Sequence, residues 1–152
     1  MKILMVCLGN ICRSPMAHGL LQHKVEKLGL DWEVDSAGTG NWHVGERPDK
    51  RAMATMKAKG IDISYQNARQ ITTADLDEYD VIYVMDLSNL ANVQRLATKP
   101  EHLQKITLMM NELPNAELKE VPDPYFGTDN SGFEQVYTML DKATDKVIAK
   151  YS

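Results

Sequence analysis

The fold is decided by the stretch Val6-Cys7-Leu8-Gly9-Asn10-Ile11-Cys12-Arg13-Ser14-Pro15. The apolar run from Ile3 to Val6 that leads into it is typical of a buried parallel strand, and a helical pattern follows it. A strand that ends in a turn and opens a helix aims free backbone amides, and the positive end of the helix dipole, at one point. Such a point binds a tetrahedral oxyanion, so the sequence predicts a phosphate site in this turn.

Cys7 and Arg13 bracket the turn and carry its predicted chemistry. A thiol beside a guanidinium and converging amides is favoured as the thiolate, which makes Cys7 a candidate nucleophile. The planar fork of Arg13 suits two phosphate oxygens, and the Ser14 hydroxyl is placed to stabilise the sulfur as a leaving group. In the alternative interpretation Cys7 is a small buried hydrophobe and Arg13 a surface residue, but the strand before the turn and the helix after it argue against this.

Two further residues shape the turn, and one distant residue is a candidate acid. Gly9 allows close approach of the backbone, and Asn10 tolerates the left-handed conformation that a tight loop needs. Transfer of a phosphoryl group to sulfur also requires an acid for the leaving oxygen. Asp123, between Pro122 and Pro124, is the candidate, although Asp-Pro is also a common start of a turn.

Alternating strands and helices predict an α/β fold, a three-layer, Rossmann-like sandwich with a four-stranded parallel sheet flanked by helices. The chain is expected to form a single domain over residues 1–152. Three predicted strand ends, at Cys7, Ser36 and Asp86, fall where ligands bind in such sheets. The predicted strands are 2–6, 33–36, 80–85 and 105–109, and the predicted helices are 15–29, 48–59, 87–97 and a C-terminal one that contains 133–148, with a helical turn from Thr72 and loops at 37–45 and 111–129.

Composition and charge exclude several classes of function. The formal net charge is -4, from 17 basic and 21 acidic residues, so no overall basic field favours nucleic acid. The four histidines lack the spacing of metal ligands, and the sequence predicts neither a metal nor another cofactor. No apolar run approaches the roughly 18 residues of a membrane span, and Met1-Lys2 leads directly into a strand, so a cytoplasmic location is expected. Cys7 and Cys12 are too close for a bridge that would stabilise the fold, which favours a catalytic or redox role.

The chain resembles low-molecular-weight protein tyrosine phosphatases over essentially its full length. Residues 7–14 resemble the family's C-x5-R-S loop, and Asp123-Pro124-Tyr125 resembles its acid motif, which favours the acid over the turn interpretation of Asp123. The resemblance implies hydrolysis of phosphotyrosine and aryl phosphates through a phosphocysteine intermediate. Cys7 would be the nucleophile, Arg13 the phosphate clamp, and Asp123 first the general acid and then the general base.

The resemblance also assigns supporting roles. Cys12 matches a second loop cysteine that bridges to the nucleophile under oxidation, although an inert packed thiol is the alternative. Gln66 stands where many members have histidine, and Asp86 matches a supporting position near the loop. The residues implied to bind phosphate or support the loop are Leu8, Gly9, Asn10, Ile11, Cys12, Ser14 and Ser36. The implied substrate rim comprises Trp42, Tyr125 and Phe126, for which ordinary packing is the alternative.

Alternatives on similar scaffolds remain open. A protein arginine phosphatase would carry Thr where this chain has Ile11, and an arsenate reductase would need cysteines beyond Cys7 and Cys12. A phosphocysteine carrier would not use Asp123 as an acid, and a non-catalytic phosphate binder would not need the thiol. The expected partners are tyrosine-phosphorylated proteins and a cognate tyrosine kinase, with inhibition by phosphate or vanadate-like oxyanions. A monomer or a weak dimer is expected, without nucleic acid or membrane.

Overall fold

The computed structural model describes residues 1–127 and 129–152. Its parallel sheet contains β1 (Lys2–Cys7), β2 (Glu33–Gly38), β3 (Val81–Val84) and β4 (Ile106–Leu108). The strand order is β2-β1-β3-β4. β1 therefore pairs with β2 on one side and with β3 on the other, and the chain direction across the sheet reverses at this strand. Ligands bind at such a switch point, outside the carboxyl ends of the strands, which is where β1 ends at Cys7.

Helices cover both faces of the sheet. They are α1 (Arg13–Leu28), α2 (Lys50–Ala58), α3 (Thr73–Glu78), α4 (Leu87–Gln94), α5 (Pro100–Lys105) and α6 (Ser131–Tyr151), with short 3-10 turns at Met109–Glu112 and Pro124–Phe126. Side chains alternate along each strand, so Met5 and Tyr83 enter the core shared with α1 and α6, whereas Leu4 and Ile82 enter the core on the opposite face. The predicted α/β fold with four parallel strands is confirmed.

Some predicted boundaries differ from the structure. α1 begins at Arg13 rather than at residue 15, so Arg13 belongs to the first turn of the helix. α5 was not predicted, because six residues are too few to show helical periodicity, and β4 is correspondingly shorter than residues 105–109. The predicted end of α1 is confirmed, since Gly29 has φ 67 and bonds back to Glu26.

Residues 1–127 and 129–152 contain no helix that is both long and apolar enough to cross a membrane.

Candidate active site

The turn between β1 and α1 is held from outside by hydrogen bonds to its carbonyl groups. The oxygen of Leu8 accepts from the amide of Gly40 at 2.9 Å, and the oxygen of Ile11 accepts from the amide of Asp49 at 2.8 Å. Asn10 has φ 58, the left-handed conformation that the sequence predicts. With these carbonyls turned outward, the turn forms a cradle around Cys7. The backbone amide of Asn10 donates to Cys7 Sγ at 3.3 Å.

The Asn10 side chain fixes the direction of the hydrogen bonds around the sulfur. Its Oδ1 accepts from the backbone amide of Arg69 at 3.0 Å, so its Nδ2 is the atom that donates to Ser14 Oγ at 2.8 Å. The Ser14 hydroxyl then has its own proton to donate, and Cys7 Sγ at 3.0 Å is closer than the Ala37 carbonyl oxygen at 3.4 Å. A hydroxyl and an amide donor on one sulfur stabilise its negative charge.

Ser36 and Gly38 support this cradle from β2. Ser36, predicted from the resemblance, accepts a second bond from Asn10 Nδ2 at 2.9 Å. Gly38 was not predicted as a supporting residue. A Cβ atom at this position would lie 2.7 Å from the Leu8 carbonyl oxygen, so only glycine allows the strand to pass this closely under the turn.

Arg69 is a second supporting residue that the sequence did not reveal. Its guanidinium binds Asp75 at 3.0 and 3.1 Å and Asp35 at 3.1 Å. Burial opposes the charge of Arg69, but these carboxylates outweigh it and raise its pKa. The charged side chain therefore anchors the backbone amide that orients Asn10.

Two carboxylates bind the guanidinium of Arg13 and fix its position. Its Nη1 binds Asp86 Oδ2 at 2.6 Å and the Val121 carbonyl oxygen at 3.1 Å, and its Nη2 lies 3.5 Å from Asp123 Oδ2. The side chain is only 3% exposed. Burial disfavours its charge, yet Cys7, Asp86 and Asp123 together raise the pKa of Arg13. A permanently charged, fixed fork is suited to hold phosphate oxygens.

Asp123 lies at the start of the 3-10 turn Pro124–Phe126, where its Oδ1 accepts from the amide of Tyr125 at 3.0 Å. It shares with Cys7 a pocket of about 150 Å³. The predicted residues that line this catalytic pocket are Cys7, Leu8, Gly9, Ile11, Cys12, Arg13, Trp42, Asp123, Tyr125 and Phe126. His43 also lines it and was not predicted. The structure thus brings together the nucleophile, clamp and acid candidates with all three rim aromatics.

The aromatic rim is open to solvent. Trp42 is 69% exposed and Phe126 77% exposed, whereas Tyr125 is 41% exposed. The rings of Tyr125 and Phe126 meet edge to face with centroids 5.1 Å apart. Exposed aromatic faces beside a narrow pocket can stack on a planar substrate ring.

Arg51, on α2, braces the loop that carries Asp123. Its guanidinium donates to the carbonyl oxygens of Tyr125 at 3.1 Å and Gly127 at 3.4 Å. It also lies over the rings of Tyr125 and Phe133, at 5.6 and 4.8 Å from their centroids. The loop that carries Asp123 is therefore attached to α2 and, through Arg51, to α6.

Asp49 connects this brace to the phosphate-binding turn. Its carboxylate accepts from Arg51 Nε at 3.1 Å and Nη2 at 3.0 Å and caps α2 through the Arg51 amide at 2.8 Å. Its own amide donates to the Ile11 carbonyl oxygen at 2.8 Å. Asp49 thus links the turn that holds Cys7, through its backbone amide, to the loop that holds Asp123, through its carboxylate and Arg51.

Cys12 is a buried free thiol at the edge of the same pocket. Burial raises the pKa of Cys12, and the negative charges of Asp49 and Cys7 raise it further. The two thiols of the turn therefore have different environments, because Cys7 receives hydrogen bonds from Asn10 and Ser14.

Gln66 and Asp86 take distinct supporting positions. Gln66 is buried and its Nε2 donates to the Pro15 carbonyl oxygen at 3.1 Å, so it contacts the first turn of α1. Within the described part of the chain, Gln66 Oε1 has no hydrogen-bond partner. Asp86 binds Arg13 through one oxygen and caps α4 with the other, which accepts from the amide of Asn89 at 2.7 Å.

The family model described as low molecular weight phosphotyrosine protein phosphatase matches residues 2–151. The chain belongs to this family. It is 42% identical to the Schizosaccharomyces pombe low molecular weight phosphotyrosine protein phosphatase over 143 residues, covering 91% of this chain and 89% of the relative.

Two solved structures share the fold. A protein tyrosine phosphatase from Entamoeba histolytica with Hepes in its active site has a TM-score of 0.93 at 34% identity and covers 99% of this chain and 96% of its own. The Drosophila arginine phosphatase DARP has a TM-score of 0.94 at 35% identity and covers 100% of this chain and 98% of its own. The phosphatase fold and family predicted from the two motifs are confirmed.

Proposed function

We propose that this phosphatase hydrolyses phosphotyrosine in proteins, and aryl phosphates, with Cys7 as nucleophile, Arg13 as phosphate clamp and Asp123 as acid and base. The observation that supports this most is that Cys7, Arg13 and Asp123 line one pocket, with Arg13 Nη2 3.5 Å from Asp123 Oδ2. In the first step the sulfur attacks phosphorus, the P–O bond to the aryl group breaks, and Asp123 donates its proton to the leaving oxygen. Phosphocysteine and the free phenol result.

The second step releases phosphate. Asp123, now a carboxylate, removes a proton from water, which attacks phosphorus as the S–P bond breaks. Ser14 donates a hydrogen bond to the departing sulfur, from which it lies 3.0 Å away. Arg13 and the amides of the turn hold the equatorial oxygens in both steps, so the developing charge meets donors that are already in place.

An aromatic substrate is favoured by the rim. Trp42, Tyr125 and Phe126 surround the entrance, and Ile11 offers a branched apolar wall inside. A flat tyrosine ring suits these surfaces, because stacking and apolar contact need no charge. Hydrolysis of phosphoarginine is the second candidate, since the Drosophila arginine phosphatase shares the fold.

A panel of substrates tests whether the enzyme prefers phosphotyrosine or phosphoarginine. Wild-type enzyme is offered an aryl phosphate, a phosphotyrosine peptide and a phosphoarginine peptide of otherwise equal sequence, and kcat/KM is measured for each. We expect the phosphotyrosine peptide to be preferred over the phosphoarginine peptide by about tenfold or more, the ratio that a difference of about 1.4 kcal/mol gives. The opposite order would assign the chain to arginine phosphatases.

Cys12 is proposed to protect Cys7 from oxidation. Peroxide converts the Cys7 thiolate to sulfenic acid with release of hydroxide, and the Cys12 thiol then attacks this sulfur with loss of water to form a disulfide. A thiol reductant restores both cysteines. Without Cys12, further peroxide carries Cys7 to sulfinic acid, which thiols do not reduce.

Peroxide treatment of wild type and Cys12→Ser measures this protection. We expect the wild type to regain most of its activity after reduction, and the variant to regain several-fold less, with Cys7 heavier by two oxygen atoms in the intact mass. Untreated samples of both proteins serve as controls. Equal recovery would leave Cys12 as a packed thiol without a redox role.

We also propose the inhibitors, partners, cellular location and domain organisation of this phosphatase. Hepes, held by the Entamoeba relative, carries a tetrahedral sulfonate, which supports inhibition of this chain by phosphate or vanadate. Phosphorylated proteins are the substrates that the family implies, and a cognate tyrosine kinase is a proposed partner. Two free cysteines suit a cytoplasmic enzyme, and the shared sheet supports one domain over the whole chain.

A further inference from the structure

A second pocket adjoins the catalytic pocket and shares two residues with it. This pocket, here named the flanking pocket, has a volume of about 360 Å³. Leu8 and Trp42 line both pockets, so together they form the wall between them. The flanking pocket is further lined by Thr39, Gly40, Gln70, Ile71, Asn92, Arg95 and Leu96. None of these seven has a role in the proposed reaction.

The indole of Trp42 is held in this dividing position by the backbone beneath it. A Cβ atom at Gly40 would lie 2.0 Å from the Trp42 ring, so the ring packs directly on the glycine. Gly40 is itself fixed, because its amide donates to the Leu8 carbonyl oxygen at 2.9 Å. The wall is therefore part of the same hydrogen-bonded frame that shapes the phosphate-binding turn.

The flanking pocket combines an apolar floor with one cation. Ile71 and Leu96 provide the apolar surface. Arg95 is exposed at the C-terminal end of α4, where its Nη1 donates to Asn92 Oδ1 at 2.8 Å. Among residues 1–127 and 129–152 no carboxylate lies within ion-pair distance of Arg95. Its charge is therefore available to a ligand, whereas Gln70 is engaged with the Thr39 carbonyl oxygen at 3.1 Å.

We propose that the flanking pocket binds an acidic side chain, glutamate or aspartate, one or two residues from the phosphotyrosine of a protein substrate. The inference rests on the proposed function. A phosphotyrosine seated in the catalytic pocket obliges its neighbours to cross the rim, and an extended peptide advances about 3.3 Å per residue. A peptide that crosses Trp42 delivers the next side chains to this pocket. The methylene groups of the acid lie on Ile71 and Leu96, and the carboxylate meets Arg95.

Substitutions that change the charge of Arg95 and of a peptide residue near the phosphotyrosine test this pocket. Phosphotyrosine peptides that differ only by Glu, Gln or Lys, placed one or two residues before or after the phosphotyrosine, are assayed with wild type, Arg95→Gln and Arg95→Glu. At one of these positions we expect wild type to prefer Glu over Lys by about threefold to fivefold in kcat/KM, the range of an exposed ion pair. Arg95→Gln should remove the preference and Arg95→Glu should reverse it. High salt should weaken both preferences.

Two controls separate this pocket from the catalytic site. Lys27→Glu makes the same change in net charge at an exposed position on the last turn of α1 and should leave the peptide preference as in wild type. An aryl phosphate without a peptide should be hydrolysed equally by all variants. If wild type cleaves the peptides without regard to charge and Arg95→Glu does the same, the flanking pocket is not a subsite. If wild type cleaves no phosphotyrosine peptide, the proposed function fails instead.

Discussion

Replacement of Cys7 by serine is expected to abolish turnover while the protein still binds phosphate or vanadate. A serine hydroxyl is protonated at neutral pH and is a poor nucleophile, so the phosphoenzyme does not form. The cradle itself is held by Asn10 and by the outward carbonyl groups of Leu8 and Ile11, which this substitution leaves intact. We expect a loss of about 10⁴-fold or more in kcat, comparable to removal of other catalytic nucleophiles.

Rapid acid quench and phosphate titration provide the measurements. Wild type mixed with an aryl phosphate should yield protein carrying covalent phosphate, and Cys7→Ser should yield none. Calorimetric titration should give both proteins similar affinities for inorganic phosphate. Cys12→Ser is the matched control, because it removes the other thiol of the turn and should retain turnover. A Cys7→Ser enzyme with substantial activity would contradict the assignment of the nucleophile.

The second large effect is expected for Asp123→Ala. This substitution should lower the rate of hydrolysis most for substrates with poor leaving groups. A phenolate of high pKa needs a proton as the P–O bond breaks, whereas a nitrophenolate leaves unaided. Loss of a positioned acid costs about 10²-fold to 10³-fold for the poor leaving group. Asp123 lies 3.5 Å from Arg13 and lines the pocket beside Cys7, so its carboxyl group is near the atoms that react.

A series of substituted phenyl phosphates measures this dependence. The plot of log kcat/KM against the pKa of the leaving phenol should be steeper for Asp123→Ala than for wild type. Asp86→Asn is the matched control, because Asp86 also binds the Arg13 guanidinium but does not line the catalytic pocket. It should slow every member of the series by a similar factor. Parallel plots for Asp123→Ala and wild type would show that Asp123 is not the acid.

The sequence predicted the phosphate-binding turn well because its determinants are contiguous. Residues 6–15 encode strand, turn and helix start in order, and the left-handed Asn10 follows from local sterics. Asp123 is different, since its neighbours suit an ordinary turn equally well. Its assignment depended on the family resemblance, and only the fold places it beside Arg13.

Other supporting residues escaped prediction because their partners are distant in the chain. Arg69 contributes a backbone amide to Asn10, a role that leaves no trace in local composition. Gly38 is constrained by the carbonyl of Leu8, a contact that exists only after the strands pair. Arg51 resembles any surface helix arginine until α2 lies beside the loop that carries Asp123.

The contact between Arg51 and Phe133 joins the loop that carries Asp123 to the C-terminal helix. Arg51 donates to the carbonyl oxygens of Tyr125 and Gly127 and lies over the ring of Phe133 on α6, which packs along α1. Residues of α6 that are remote from the catalytic pocket therefore support the position of Asp123. We expect loosening of α6 to weaken the hold on Asp123 while Cys7 and Arg13 stay in place in the turn between β1 and α1.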